Sequence, residues 1–295
     1  MYKRQYLIIV IIMLALAVSG LVVGVANDAV NFLNSALGSK AAPRYVIMTV
    51  ASVGIIVGAI TSNGMMEVAR SGVFHPEMFT FAEVMLLFLA VMFTNVILLD
   101  IFNTLGMPTS TTVSLVFGLL GAAVGISIFK IANDALVTLP DGSLATMADM
   151  INTGNAMAII GGILISVVIA FVCGTVVMYI TRLIFSFRYQ SKLKSYGAVW
   201  CGIALTAISY FAVFKGLKGT QVIPADWMSW MEGHIPMMLG GLLVGWSLIM
   251  SILSMLKVNI LRITVLAGTF SLALAFAGND LVNFIGVPLA GYDAW

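Results

Sequence analysis

The sequence predicts an all-α polytopic membrane protein of about eight membrane segments, an inverted-topology repeat with broken or re-entrant helices at its polar motifs. Three observations predict it. Hydrophobic residues make up 61% of the 295 residues and charged residues 9%, with a mean hydropathy of +1.10. A soluble domain is roughly a quarter charged, so this chain lacks the charge to cover a surface facing water. Its apolar residues fall into runs of about 20, the length a helix needs to cross a bilayer. Finally, Val25-Ala26-Asn27-Asp28-Ala29-Val30-Asn31-Phe32 returns 252 positions later as Ala277-Gly278-Asn279-Asp280-Leu281-Val282-Asn283-Phe284.

In chain order the apolar segments are Leu7–Ala26, Tyr45–Thr61, Glu83–Phe102, Thr109–Phe129, Ala156–Ile180, Ala198–Phe214, Ile235–Met255 and Ile260–Gly278. Their Val, Ile and Gly content would suit strands in water. Their lengths, and the absence of alternation, favour helices over a transmembrane barrel. Lys3 and Arg4 precede the first segment as in a signal peptide. That run is longer than the roughly 7–15 residues of a signal sequence and leads straight into the motif, so it reads as a retained span. Cys173 and Cys201 lie in apolar runs and read as buried thiols rather than a disulfide.

Loop charges suggest an orientation. One set of loops holds Lys40, Arg44, Arg182, Arg188, Lys192, Lys194, Lys257 and Arg262; the other holds Arg70, Lys130, Lys215 and Lys218, joined by Lys3 and Arg4. Positive residues favour the cytoplasm, and the dense Arg182–Lys194 cluster decides the side. The N-terminus is therefore expected outside a cytoplasmic (inner or plasma) membrane. The first motif then ends segment 1 and the second ends segment 8, so the two approach the membrane from opposite sides. Opposed copies are the pattern of an inverted repeat and point to alternating-access transport. Residues 1–195 are expected to form the first repeat half, and residues 196–295 the linking helices and the start of the second.

Asn27 and Asn31 share a helical face with Asp28 beside it. Ionisable side chains at membrane depth are costly and mark ion or substrate paths. Gly24 and Gly38 bracket the stretch, where backbone opening would free carbonyls to join Asp28 around a small cation. The plainer alternative is an interhelical clamp of Asn side chains. In Pro108-Thr109-Ser110-Thr111-Thr112, a proline and four hydroxyl residues signal a helix start. Free N–H groups, the helix dipole and four hydroxyls make a donor-rich nest for a tetrahedral oxyanion; simple N-capping needs only one of them. Asp100 and Glu83 read more simply as helix-end residues, and Glu67, Arg70, His75, Glu77 and His234 as solvated loop. The two histidines lack partners at metal-ligand spacing. A net charge of +2 suggests no nucleic-acid partner. With no phosphate-cradling Gly-x-x-x-x-Gly-Lys and no nucleophile elbow, no enzyme activity and no cofactor are expected.

The two Asn-Asp stretches and the hydroxyl stretch together resemble the PiT family of inorganic phosphate transporters, which are cation-coupled symporters. Gly24-Val25-Ala26-Asn27-Asp28-Ala29-Val30-Asn31 and Gly278-Asn279-Asp280-Leu281-Val282-Asn283 look like its paired signatures, and Pro108–Thr112 like its first hydroxyl stretch. The resemblance implies phosphate held by Asn27, Asn31, Thr109, Ser110, Thr111, Thr112, Asn279 and Asn283, with sodium ions or protons at Asp28 and Asp280. Two departures stand out. Segment Tyr45–Thr61 lacks the acid common in the family's second helix. The 252-residue offset also places a second hydroxyl stretch near position 360, beyond Trp295, so a fragment is expected, with a homodimer that completes the site as the alternative. A sulfate carrier of the same fold, an anion channel and a non-transporting membrane subunit are the competing functions.

Overall fold

A computed structural model describes residues 2–61, 72–135, 137–139, 142–186, 189–216 and 223–294, with the side chains of residues 2–6, 215, 216, 225, 279, 282, 283 and 290–294 left undescribed. It contains helices α1 (Tyr2–Gly38), α2 (Arg44–Thr61), α3 (Phe81–Thr104), α4 (Thr111–Ala132), α5 (Met147–Met150), α6 (Thr153–Ile184), α7 (Tyr189–Phe211), α8 (Ala225–Gly233), α9 (Ile235–Met255), α10 (Ile260–Asn279) and α11 (Leu281–Ala294). Among the described residues eight helices are long and apolar enough to cross a membrane, and each overlaps one predicted segment. The described residues form no extended strands, only two isolated bridges. The chain is an integral membrane protein of helical class.

The chain divides into two compact units assembled from separated stretches. One comprises Met1–Asp28, Gly64–Ser166 and Asp280–Trp295, the other Ala29–Asn63 and Val167–Asn279. This spatial grouping draws on both sides of residue 195, where the sequence places the boundary between repeat halves.

In the first unit, α3 and α4 pack as an antiparallel pair. Thr80 caps α3 in a reciprocal box, its backbone N–H donating to Glu83 Oε2 at 2.7 Å and its hydroxyl accepting from the Glu83 N–H at 3.4 Å. The turn after Thr104 reverses direction through Gly106 at φ 68°. Met85, Phe88 and Met92 of α3 share one buried cluster with Leu115, Leu119 and Ala123 of α4, helical stripes that bury their apolar faces together. Beneath them Lys130, only 2% exposed, donates to Glu83 Oε2 at 2.9 Å and to the Met78 carbonyl at 3.1 Å, with the Phe79 ring 5.6 Å away. The sequence reading counted Lys130 as a loop charge and Glu83 as a helix-end residue. Here Lys130 belongs to the last turn of α4 and is paired, because a buried ammonium is tolerable only against an acid and further acceptors.

In the second unit, α2 lies along α10 and α7 along α9. Gly54 and Gly58 face α10 so closely that a Cβ at Gly54 would lie 2.6 Å from the Phe270 carbonyl oxygen, while one at Gly58 would overlap that of Leu274. This spacing of small residues lets two apolar helices bring their backbones together. Cys201 is buried, as expected, but Cys173 is exposed on α6. An apolar run predicts membrane depth, not which side of the helix packs against protein.

Candidate functional site

The first motif lies inside a helix. α1 runs unbroken for 37 residues, so Asn27 and Asp28 are interior positions rather than its end, and the backbone at Gly24 does not open. Apolar residues continue beyond Ala26 at helical spacing, and nothing between Asn27 and Gly38 stops the helix. The second motif does coincide with a break: α10 ends at Asn279, and α11 begins at Leu281 after Asp280.

Asn27, 5% exposed, organises the turn between α3 and α4. Its amide donates to Asn103 Oδ1 at 2.8 Å and to the Met107 carbonyl at 3.2 Å, and its Oδ1 accepts from the Thr109 N–H at 2.8 Å. Asn103 in turn donates to the Val23 carbonyl at 2.9 Å. One side chain thus supplies both partners that an otherwise unpaired turn backbone requires. Asn103 is a site residue beyond those the sequence pointed to, and the signal that could have found it is a polar residue at membrane depth.

The four hydroxyl residues have separate uses. Ser110 is the N-cap of α4, accepting from the Val113 N–H at 3.3 Å. Thr111, 2% exposed, sets its side chain beside the Asp28 carboxylate. Thr112 donates to Asp280 Oδ1 at 3.1 Å. Thr109 takes part through its N–H. Asp28, itself 5% exposed, lies near Asp280. One turn of α4 therefore touches the acid of each motif, and the whole arrangement lies in the first unit. The donors expected to form an anion nest are in part already engaged by the chain's own acceptors, which adds a carboxylate at each threonine.

Asn31 is exposed and falls in the second unit, one turn farther along α1. The side chains of Asn279 and Asn283 lie outside the described residues. Asp100 is exposed on α3. Among the described residues no cluster of three or more His, Cys, Asp or Glu side chains suited to a metal ion occurs.

A sequence profile described as the phosphate transporter family matches residues 24–295. The chain belongs to the phosphate transporter family. A solved structure of a sodium-dependent phosphate transporter superposes with a TM-score of 0.66 at 18% identity, covering 98% of this chain and 68% of that one, a likeness of fold. A protein of Thermococcus kodakarensis provisionally named a phosphate permease is 25% identical over 200 residues, which are 67% of this chain and 45% of that protein. The match thus spans less than half the length of that relative.

Proposed function

We propose that this chain forms part of a secondary active transporter that carries inorganic phosphate across the membrane with sodium ions or protons, by alternating access. The observation that carries this reading is the single turn of α4 that faces both motif acids, with Thr112 donating to Asp280 at 3.1 Å and Thr111 beside Asp28. Thr112 gives its one hydroxyl proton to the Asp280 carboxylate, and Thr111 sets a second hydroxyl beside Asp28. Two carboxylates and two hydroxyls make an all-oxygen set suited to a small hard cation, or to a proton on either acid.

The cations would travel as cargo. Moving phosphate out of water as a bare anion is prohibitive, and positive charge bound at Asp28 and Asp280 offsets much of that cost. The Asn27 amide of α1 and the Thr109 N–H just before α4, joined by a hydrogen bond, place amide donors beside the start of α4 for the phosphate oxygens. Cations on the acids would cancel negative charge beside those amides and so favour the anion, which makes binding mutually dependent. Within this reading residues 1–195 make one repeat half, and the remainder opens the second.

Labelled phosphate uptake by vesicles containing the protein tests the proposal. Asp28→Asn and Asp280→Asn should each abolish cation-stimulated uptake while leaving the protein in the membrane. Uptake that keeps its cation dependence in both variants refutes the coupling role. Hydrogen phosphate can donate a hydrogen bond to a carboxylate and sulfate cannot, so excess sulfate should compete poorly; strong competition selects the sulfate reading. Trans-stimulation of uptake by internal phosphate distinguishes a carrier from a channel.

A further inference from the structure

α11 sets one large ring against α1. Phe284 is fully buried against the face of α1 where Gly20 and Gly24 stand one turn apart. A Cβ at Gly20 would lie 2.9 Å from Phe284 Cδ1. One at Gly24 would overlap Phe284 Cζ and lie 2.6 Å from Cε2. The ring therefore occupies space that exists only because neither residue has a side chain. Val96 of α3 closes the groove beside Gly20.

This ring-in-groove contact is one helical turn from the acids on both helices. Gly24 precedes Asp28 by four residues, and Phe284 follows Asp280 by four. α11 begins immediately after Asp280, so whatever sets the height and rotation of α11 also sets where that carboxylate stands. We propose that Phe284 is a positioning residue: keyed into the Gly20–Gly24 groove, it holds the Asp280 carboxylate on Thr112 and beside Asp28. The proposal rests on the reading of these acids as the cation-coupling pair.

The sequence repeat sharpens the point. The offset relating Asp28 to Asp280 also relates Phe32 to Phe284 and Gly24 to Phe276. Within the second unit Phe32 meets Phe276 with ring centroids 5.4 Å apart. The same pair of repeat positions is thus in contact in each unit, ring on ring in one and ring on glycine in the other. The ring-on-glycine arrangement has no room for an added methyl group, which makes the Asp280 side sensitive to one.

Cross-linking tests the geometry without requiring transport. With Cys173 and Cys201 replaced by Ala, the pair Thr112→Cys and Asp280→Cys should be bridged by a short bifunctional thiol reagent. Adding Gly24→Ala or Phe284→Ala should remove most of the cross-linked product, and combining Gly24→Ala with Phe284→Leu, which returns the lost space, should restore it. With Thr112 and Asp280 intact, the two single substitutions should raise the coupling-cation concentration for half-maximal phosphate uptake by about tenfold, the scale of one lost hydrogen bond to a charged group. The paired substitution should bring it back towards the starting value. Cross-linking unaffected by both single substitutions overturns the proposal, as does lost cross-linking with unchanged cation half-saturation. Absence of cation-dependent uptake in the unsubstituted protein would instead defeat the transport reading, and the cross-link yields would still decide whether Phe284 positions Asp280.

Discussion

Asn27 holds three hydrogen-bond partners on or beside one turn, because a carboxamide provides both an acceptor for the Thr109 N–H and donors for Asn103 and Met107. Asn27→Ala leaves buried polar groups without partners at a cost of about 1–3 kcal/mol. Phosphate affinity and thermal stability should therefore fall together, measured by uptake and by melting in detergent. Asn27→Asp keeps an acceptor but loses the donors and adds a third acid, so it should be worse than Ala for anion binding. The Lys130–Glu83 pair makes a different prediction. Glu83→Gln strands a buried ammonium and should cost about 3 kcal/mol, the low end for a broken buried pair because Glu83 is partly exposed. Adding Lys130→Met should recover most of that loss, since a neutral side chain of similar length fills the same space.

At the scale of elements, two glycine contacts carry helix packing. Gly58→Val drives a branched side chain against the Leu274 backbone, which cannot swing aside as a side chain would. Overpacking of this kind costs about 1–3 kcal/mol, and the melting temperature should fall accordingly. Gly162→Ala on α6, where a Cβ meets nothing within 4 Å, should not lower stability, since alanine is the better helix former. An equal loss at both glycines would show that close packing at Gly58 is not the cause. The elements also show where sequence reading reached its limit. Every long apolar segment became a helix, because length and hydropathy are properties of one stretch of chain. The continuation of α1 to Gly38 and the existence of α11 were missed: polar residues look like an end until their partners on other helices are known.

The whole molecule raises orientation and assembly. If the Arg182–Lys194 loop faces the cytoplasm, Lys194→Cys in a background lacking Cys173 and Cys201 should resist a membrane-impermeant thiol reagent in intact cells and react after permeabilisation. Labelling from outside would invert the topology. Lys130 weighs less in this argument than the sequence suggested, since it is paired inside the first unit. The two units also interleave the chain, taking α1 up to Asp28 into one and from Ala29 into the other.

By itself the sequence determined the solvent of this protein, its helical class, the eight spans and the polar residues of the candidate site, because composition, periodicity and repetition are written along a single chain. It also marked Asn27, Asp28, Asp280 and the hydroxyl stretch as belonging together, through the cost of polar groups at membrane depth. Only the tertiary structure decided how the hydroxyls are shared: Ser110 caps its own helix, while Thr111 and Thr112 face the acids of the two motifs. It likewise decided that Gly24 makes room for a ring instead of opening the backbone. Those outcomes depend on helices more than 80 residues apart in the chain, and hydrogen bonding and steric exclusion act through space, where a one-dimensional pattern is silent.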